Sequence, residues 1–348
     1  MTLRIGICLV IVSWLLVIPV SASQVLDPTE IGVGARPLGM GKAFTGIADD
    51  GSAIFTNPAG LSQNKALTVI SMSGNLMSEV PYTVIGASYP ALNGNVAIGY
   101  VGLGVSEINE TVLVNGTPEV TGGQGSYTNS AINLSYATQL KNVSYGMIKS
   151  PDVGATLKII NQGLSSGSFE GGGGTGFDLD LGARAKLTED MSAGLLIKNI
   201  IPGNNFKSDE IPMSIVGGIT KKFNNLNLLT ALDTEFSRGI LFHAGCEWNP
   251  VRLLKLRLGL DQKPDAGGTA TNLAAGLGIS FGGFAFDYAY HTYAGISDFS
   301  THYFSIGYVG EEKVKAKPAE VAPAPVPPKK VKPAPAKKPV KKPPVAPR

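Results

Sequence analysis

Two glycine-bearing patterns in the sequence match motifs that bind phosphate or carry a nucleophile. Gly32-Val-Gly34 matches the start of a dinucleotide-binding fingerprint, in which glycines let the backbone approach a pyrophosphate. Pro37 stands where the third glycine belongs, and no strand–helix–strand unit follows. Gly163-Leu-Ser165-Ser-Gly167 matches the nucleophile elbow of hydrolases, but it opens a glycine-rich loop with no helix after it. We interpret both matches as chance.

Side chains that bind metals or form disulfides are few and widely spaced. His243, His291 and His302 fall on separate predicted strands without close-spaced partners, so we interpret them as isolated wall residues; a metal site across the lumen is the alternative. Cys8 lies near the N-terminus and leaves only Cys246 in the rest of the chain, which excludes a disulfide scaffold. We therefore predict no catalytic centre, no metal, no cofactor and no enzymatic activity.

The charge of the chain is divided among three segments of different composition. Of 348 residues, positions 1–23 hold one charged residue, Arg4, and positions 311–348 hold ten Lys, one Arg, three Glu and eleven Pro. The body, 24–310, carries 17 basic and 23 acidic residues, a net charge of −6, and holds 43 of the 44 glycines. A mildly acidic body argues against a nucleic-acid-binding function.

The first 23 residues have the pattern of a secretory signal peptide. Arg4 precedes an apolar stretch over 5–20, and small residues follow at Ser21, Ala22 and Ser23, as signal peptidase requires. The alternative is a single membrane anchor, for which about sixteen apolar residues are slightly short. We predict that 1–23 is cleaved.

From about residue 66 the chain alternates between apolar and polar residues with a period of two, which is typical of strands with two unlike faces. In 252–261, for example, leucines at even positions alternate with Lys255, Arg257 and Asp261. The polar face of such strands supplies our candidate lumen residues, which are Asp178, Asp180, Arg184, Lys186, Lys255, Arg257, Asp287 and His291.

Counting the alternating segments predicts an all-β, antiparallel transmembrane barrel of about fourteen strands over 66–310. The predicted strands are 66–73, 80–90, 93–105, 126–139, 151–164, 175–187, 190–200, 211–222, 226–236, 239–248, 252–261, 271–281, 283–293 and 300–309. Their connections alternate between long and short, as in outer-membrane barrels, with a long loop at 106–125 and exceptions at 140–150 and 237–238. A soluble β-sandwich is the alternative.

The segment 24–65 does not alternate and carries a family resemblance. Its Gly34-Ala35-Arg36, Gly39-Met40-Gly41, Ala48-Asp49-Asp50 and Asn57-Pro58-Ala59-Gly60 resemble the FadL-like outer-membrane proteins, most closely their shorter relatives of the PorV/PorQ type. The resemblance implies a fourteen-stranded barrel whose N-terminal segment, 24–65, folds inward as a hatch. It points to Arg36, Asp49, Asp50, Asn57 and Pro58 as gating residues. The three charged residues are expected either to pair with lumen charges or to be solvated turn residues.

The C-terminal segment 311–348 has no aromatic residue and cannot bury a core, so we predict an extended, disordered tail in the periplasm. We expect such a tail to contact the cell wall, an anionic membrane surface or a periplasmic protein. A solvated extension without a partner is the alternative.

Three functions follow for an outer-membrane protein of this kind. The FadL resemblance implies a monomer, surrounded by outer-membrane lipid, that binds or transports hydrophobic small molecules such as long-chain fatty acids. The PorV resemblance implies instead a scaffold for secretion or surface attachment of a protein partner, which would use the loop 106–125 and the tail. The third is a structural barrel whose tail links envelope layers.

Overall fold

The computed structural model describes residues 27–76, 78–165, 172–203, 211–237, 239–265, 268–294 and 300–311. The predicted signal peptide, 1–23, and the predicted tail beyond residue 311 lie outside the described residues. No helix within the described part of the chain is long and apolar enough to cross a membrane.

Sixteen strands follow one another along the described chain, and fourteen of them close into one antiparallel barrel. Only β5 and β6 stand apart, as a separate two-stranded hairpin, and β1 closes the barrel by pairing with β16. The strands are β1 (Thr68–Leu76), β2 (Val80–Ala91), β3 (Gly94–Val114), β4 (Thr117–Gln139), β5 (Ser144–Tyr145), β6 (Ile148–Lys149), β7 (Asp152–Ser165), β8 (Gly172–Lys186), β9 (Met191–Lys198), β10 (Ser214–Phe223), β11 (Leu228–Phe236), β12 (Ile240–Val251), β13 (Leu254–Asp265), β14 (Gly268–Phe281), β15 (Phe284–Thr292) and β16 (Ser300–Val309).

The alternation in the sequence separates an apolar outer face from a polar inner face. On β13, Leu256, Leu258 and Leu260 point outward and are exposed, whereas Arg257 points inward and is buried. Exposed aliphatic and aromatic side chains recur in this way on strand after strand. A continuous outward apolar surface is stable against hydrocarbon and not against water, so this closed barrel has the surface of a membrane-spanning one.

The fourteen strands expected from the alternation are confirmed, but the loop expected over 106–125 is wrong. β3 and β4 continue through this stretch as a two-stranded arm, with Val114 paired to Thr117 across the turn Asn115-Gly116. Both turn residues have positive φ, 51° and 82°. Asn-Gly is the strongest short signal for such a hairpin turn, so the arm was readable from the sequence.

We call the end of the barrel that carries this arm the loop end, and the opposite end the turn end. At the turn end, strands are joined by tight turns such as Leu92-Asn93 and Gly282-Gly283. The exception is 140–150, where the hairpin β5–β6 lies between β4 and β7. The length of this connection was an exception to the predicted pattern, and its hairpin was not predicted.

The N-terminal segment, residues 27–65, lies across the interior of the barrel. It contains two short α-helices, α1 (Ala35–Gly39) and α2 (Ala53–Thr56), and two 3₁₀ turns, Pro28–Ile31 and Pro58–Gln63. Helix α1 packs against β13–β16, whereas Pro58–Gln63 packs against β3, β4, β7 and β8 on the opposite wall. The buried apolar core is therefore formed between this segment and the inner wall.

One glycine contact shows how closely the segment approaches the wall. Gly41 has φ +60°, and a Cβ built on it would lie 2.4 Å from the carbonyl oxygen of Leu260 on β13. No larger residue fits there without moving the backbone, because glycine alone combines positive φ with the absence of a side chain.

Candidate functional site

A cavity of about 720 Å³ lies inside the barrel at the loop end. We call it the loop-end cavity. Its volume is within the range of small-molecule binding sites. The N-terminal segment and the wall both contribute apolar side chains to it, among them Val33, Phe44, Phe55, Leu103, Val105, Leu196, Val216 and Leu241.

Charged groups on one side of this cavity are joined into ion pairs. Lys198 Nζ lies 2.7 Å from Glu30 Oε1 and 3.5 Å from Glu235 Oε1. Lys42 Nζ lies 3.3 Å from Asp261 Oδ2 and donates to the carbonyl oxygen of Glu30 at 3.1 Å. These pairs connect the beginning of the N-terminal segment to β9, β11 and β13.

Asp261 also brings together two of the three histidines. Its Oδ1 lies 2.9 Å from His243 Nδ1, and its Oδ2 lies 3.1 Å from His291 Nε2. All three side chains are buried, so the expectation of isolated histidines is wrong for this pair. His302 points outward, where its Nδ1 lies 2.7 Å from the hydroxyl of Tyr288. The described residues contain no group of three His, Cys, Asp or Glu side chains that could hold a metal ion.

A second buried cluster surrounds Lys158 on β7. Its ammonium lies 2.7 Å from Asp27 and 2.9 Å from Asp180, and it donates to the amide oxygen of Asn199. Asp178 and Asp180 accept hydrogen bonds from the backbone amides of Ile201 and Asn199. This cluster attaches the first described residue of the N-terminal segment to the wall.

The acidic residues of the segment differ in their pKa. Burial raises the pKa of Asp27, but the charge and the hydrogen bond of Lys158 outweigh burial, so the pKa of Asp27 lies below its ordinary value. Burial raises the pKa of Glu30 above its ordinary value, because the charge of Lys198 offsets only part of the burial effect.

A second cavity, of about 1000 Å³, lies at the turn end and is lined by Asp49, Asp50 and Lys255 among others. We call it the turn-end cavity. Pro37 in α1 contacts both cavities, whereas Arg36 beside it lines only the turn-end one. Helix α1 therefore lies between the two spaces.

Arg36 joins the N-terminal segment to the wall at this point. Its guanidinium donates to Glu247 at 2.8 Å through Nε, to Asp49 at 2.6 Å and to Asp50 at 3.1 Å. Burial lowers the pKa of Arg36, but these three carboxylates outweigh burial, so its pKa lies well above the ordinary value.

The network continues along the inner wall. Glu247 also accepts from Arg257 at 2.7 Å, and Arg257 donates to Asp287 at 2.7 Å. We call Arg36 and its contacts with these residues the Arg36 junction.

Asn57 and Pro58 of the predicted gating set lie elsewhere and line neither cavity. The amide of Asn57 donates to the carbonyl oxygens of Thr45 at 2.9 Å and Ala183 at 3.3 Å, and its oxygen accepts from the backbone of Ala59. Pro58 begins the following 3₁₀ turn, a position that needs no amide hydrogen. Both residues fasten the segment to β8 and shape its local fold.

The predicted lumen residues fall into six places. Arg257 and Asp287 belong to the Arg36 junction, Asp178 and Asp180 to the Lys158 cluster, and His291 to Asp261. Arg184 donates to the carbonyl oxygen of Gly46 at 3.0 Å and to Asp152 at 3.3 Å. Lys255 lines the turn-end cavity, and Lys186 lies exposed where β8 ends.

The sequence prediction missed the residues that these clusters depend on most. They are Asp27, Glu30, Lys42, Lys158, Lys198, Glu235, His243, Glu247 and Asp261. A signal existed for some of them, because Lys158 stands between Leu157 and Ile159, and Asp261 closes the alternation of β13.

Comparison with known proteins finds no matching family model and no similar curated protein. Solved structures match the fold. The toluene transporter TbuX of Ralstonia pickettii is 15% identical with a TM-score of 0.58, over 80% of this chain and 99% of that chain. A TodX deltaS2S3 mutant, a monoaromatic hydrocarbon channel, is 13% identical with a TM-score of 0.56, over 79% and 97%.

A FadL homologue of Pseudomonas aeruginosa is 12% identical with a TM-score of 0.51, over 78% of this chain and 97% of that chain. At these identities the likeness is one of fold: the chain has the fold of FadL-type barrels.

Proposed function

We propose that this protein is an outer-membrane barrel that binds hydrophobic small molecules in the loop-end cavity and passes them toward the turn end. The observation that carries the proposal is an apolar cavity of about 720 Å³ inside a barrel whose outer face is also apolar. A largely apolar cavity of this size suits a hydrophobic small molecule.

The outer membrane is the location that fits this architecture. Closed antiparallel barrels with an even number of strands are typical of that membrane, and the apolar belt needs hydrocarbon around it. A cleaved signal peptide over 1–23 and a periplasmic tail over 311–348 complete this proposal. In this orientation the loop end faces the outside of the cell, and β16 ends in the periplasm.

The N-terminal segment is proposed to act as the gate. A ligand moving from the loop-end cavity toward the turn-end cavity would pass α1, where Pro37 borders both spaces. The Arg36 junction holds α1 to the wall at this point. Release of that junction would join the two cavities, so we assign the gating role to Arg36, Asp49 and Asp50, and an anchoring role to Asn57 and Pro58.

The charges around the loop-end cavity favour an uncharged ligand over a carboxylate. Lys42 and Lys198 are already paired with carboxylates, and Lys263 lies 4.7 Å from the ring centroid of Tyr293. A fatty-acid carboxylate would therefore have to displace an existing partner, which leaves another buried carboxylate without its cation. Two structures of similar fold are described as transporters or channels for toluene and monoaromatic hydrocarbons, which is consistent with this preference.

A direct binding comparison tests the proposal. Dodecanol and dodecanoate have the same chain length but differ in charge, and titration at pH 8 should show tighter binding of dodecanol. Val216→Trp places bulk in the loop-end cavity and should abolish binding, whereas Leu258→Trp, on the lipid-facing side, should leave binding unchanged. Equal binding to both variants, or no binding to the parent, would refute the proposal.

One observation favours a second function, that of a PorV/PorQ-type scaffold for a secreted protein. The arm formed by β3 and β4 extends beyond the neighbouring strands, and it exposes apolar residues such as Leu113 and Val120. Native mass spectrometry of the detergent-extracted protein separates the two functions. A bound hydrophobe at near-unit stoichiometry supports transport, and a tightly bound protein with an empty barrel supports the scaffold.

A further inference from the structure

One connection at the turn end is unlike its neighbours. Between β4 and β7, residues 140–150 form the hairpin β5–β6, whose turn contains Gly146 with φ +58°. The tip is apolar and projects from the protein, because Tyr145 is 83% exposed and Met147 is 64% exposed. Val143 at the base of the hairpin is exposed as well.

The hairpin lies on the outer side of the barrel wall. Residues of β8 at odd positions, such as Phe177 and Leu181, point outward and are exposed. Ala185 belongs to the same outward row but is only 9% exposed, and β6 packs beside β8. The outer face of β8 is therefore covered near its end, where the hairpin folds back over it.

The exposed tip belongs to a ring of apolar residues around the turn end. Leu92, Leu226 and Leu253 lie in other turns at this end, and Phe281 precedes a further turn. All four are exposed. This ring continues the apolar belt of the outer face, so the hairpin stands at the boundary between hydrocarbon and water.

The charges of the hairpin have one sign. Lys141 and Lys149 flank the apolar tip, and residues 139–150 contain no Asp or Glu. Lysine beside exposed aromatic and aliphatic residues is the combination that binds a membrane surface, because the apolar groups enter the interfacial layer and the ammonium groups contact phosphates.

We propose that the β5–β6 hairpin is a membrane-surface anchor that binds anionic phospholipid at the turn end of the barrel. Val143, Tyr145 and Met147 enter the interfacial layer, and Lys141 and Lys149 bind headgroup phosphates. The hairpin thereby fixes the depth of the barrel in the bilayer. The hairpin itself stays packed against the outer face of β8. This inference stands apart from the proposed ligand and its transport, since no residue of the hairpin lines either cavity.

A lipid surface is favoured over a protein partner by continuity and by charge. The ring of apolar residues runs on from a surface that already faces lipid, whereas a protein site would form a separate patch. Each lysine near an anionic leaflet also adds a favourable electrostatic interaction with the lipid headgroups. Two lysines together therefore strengthen binding to anionic phospholipid substantially.

Tryptophan fluorescence in vesicles tests the anchor. Tyr145→Trp is made in the full-length protein carrying Trp248→Phe, and its signal is the difference from Trp248→Phe alone. Vesicles contain phosphatidylcholine with or without phosphatidylglycerol, and lipids brominated near the headgroup or deep in the chain act as quenchers. We expect a blue-shifted emission that shallow bromine quenches more than deep bromine, and more strongly when phosphatidylglycerol is present.

Two further variants make the result decisive. The double substitution Lys141→Gln and Lys149→Gln should lower the ratio of membrane-bound to free hairpin about 30-fold in phosphatidylglycerol vesicles. It should change this ratio little in vesicles of phosphatidylcholine alone. Leu113→Trp is the matched control, because it lies on the arm at the opposite end, is 75% exposed and has only acidic charged neighbours, Glu107, Glu110 and Glu119.

Correct folding of every variant is checked by its heat-dependent migration on gels. Water-like emission of Tyr145→Trp in both vesicles would overturn the anchor, as would equal quenching of Leu113→Trp. Quenching that is equal with and without phosphatidylglycerol, and unchanged by the two lysine substitutions, would overturn binding to anionic phospholipid.

Discussion

Replacing Arg36 by methionine should open the barrier between the two cavities. Arg36 is the cation that joins α1 to the wall, and methionine keeps much of its length while removing the charge and every hydrogen bond. Loss of these contacts frees α1 from Glu247, Asp49 and Asp50 at once.

The three contacts are not equal in energy. Glu247 is only 4% exposed, and removing one partner of such a buried pair costs about 3–5 kcal/mol when the other charge is left alone. Glu247 keeps Arg257 at 2.7 Å, so the expected loss is nearer the ~1.5–3 kcal/mol of a hydrogen bond to a charged group. Asp49 is 44% exposed, and a pair of that kind contributes about 0–1 kcal/mol.

These magnitudes predict an order among variants. A loss of about 2 kcal/mol raises the ratio of open to closed states about 30-fold. Arg36→Met and Glu247→Gln should therefore show frequent openings, and Asp49→Asn should differ little from the parent. Arg36→Lys should fall between them, because lysine keeps the charge but loses the planar fork that contacts both oxygens of Glu247.

Planar-bilayer conductance and the swelling of liposomes in arabinose measure this opening. Lys186→Met is the control, because Lys186 is exposed at the end of β8. This substitution removes one positive charge without touching α1. Openings in Asp49→Asn as frequent as in Arg36→Met would refute the energetic ranking. A closed Arg36→Met barrel would refute the gating role of the junction.

Three other predictions concern the attachment of the N-terminal segment. Lys158→Met should destabilise the protein by about 3–5 kcal/mol in urea unfolding, because it leaves buried carboxylates unpaired, and adding Asp27→Asn should recover part of that loss. The pKa of Asp27 lies below its ordinary value of 3.8, so the ion pair of Asp27 with Lys158 stabilises the fold above that pH and loses this contribution as the pH falls through the lowered pKa. Proteolysis of the N-terminal segment should therefore accelerate only in acid, and Asp27→Asn should remove this pH dependence. Gly41→Ala should cost about 1–3 kcal/mol, because its φ is +60° and its Cβ would meet the backbone of Leu260, whereas Gly217→Ala has open space and should be near neutral in the same unfolding assay.

The local fold of the barrel wall could be predicted from the sequence. Leu256, Arg257 and Leu258 point to alternate sides because successive residues of a strand must do so, and one apolar side per strand then requires a closed barrel in a membrane. Even the missed arm had a local signal, since Asn115-Gly116 favours the positive φ values that its turn adopts.

The site could not be assembled in the same way. Arg36 and Glu247 are 211 positions apart, and His243 and His291 meet only because both reach Asp261. Alternation tells which face a side chain occupies, but not its neighbours, which depend on strand register and on the path of the N-terminal segment through the lumen. The pattern of residues along the chain was therefore enough to predict the strands, their two faces and the composition of the interior. The pairing of the charges depends on the closed barrel, since a buried charge takes its partner from the groups that the wall brings within hydrogen-bonding distance.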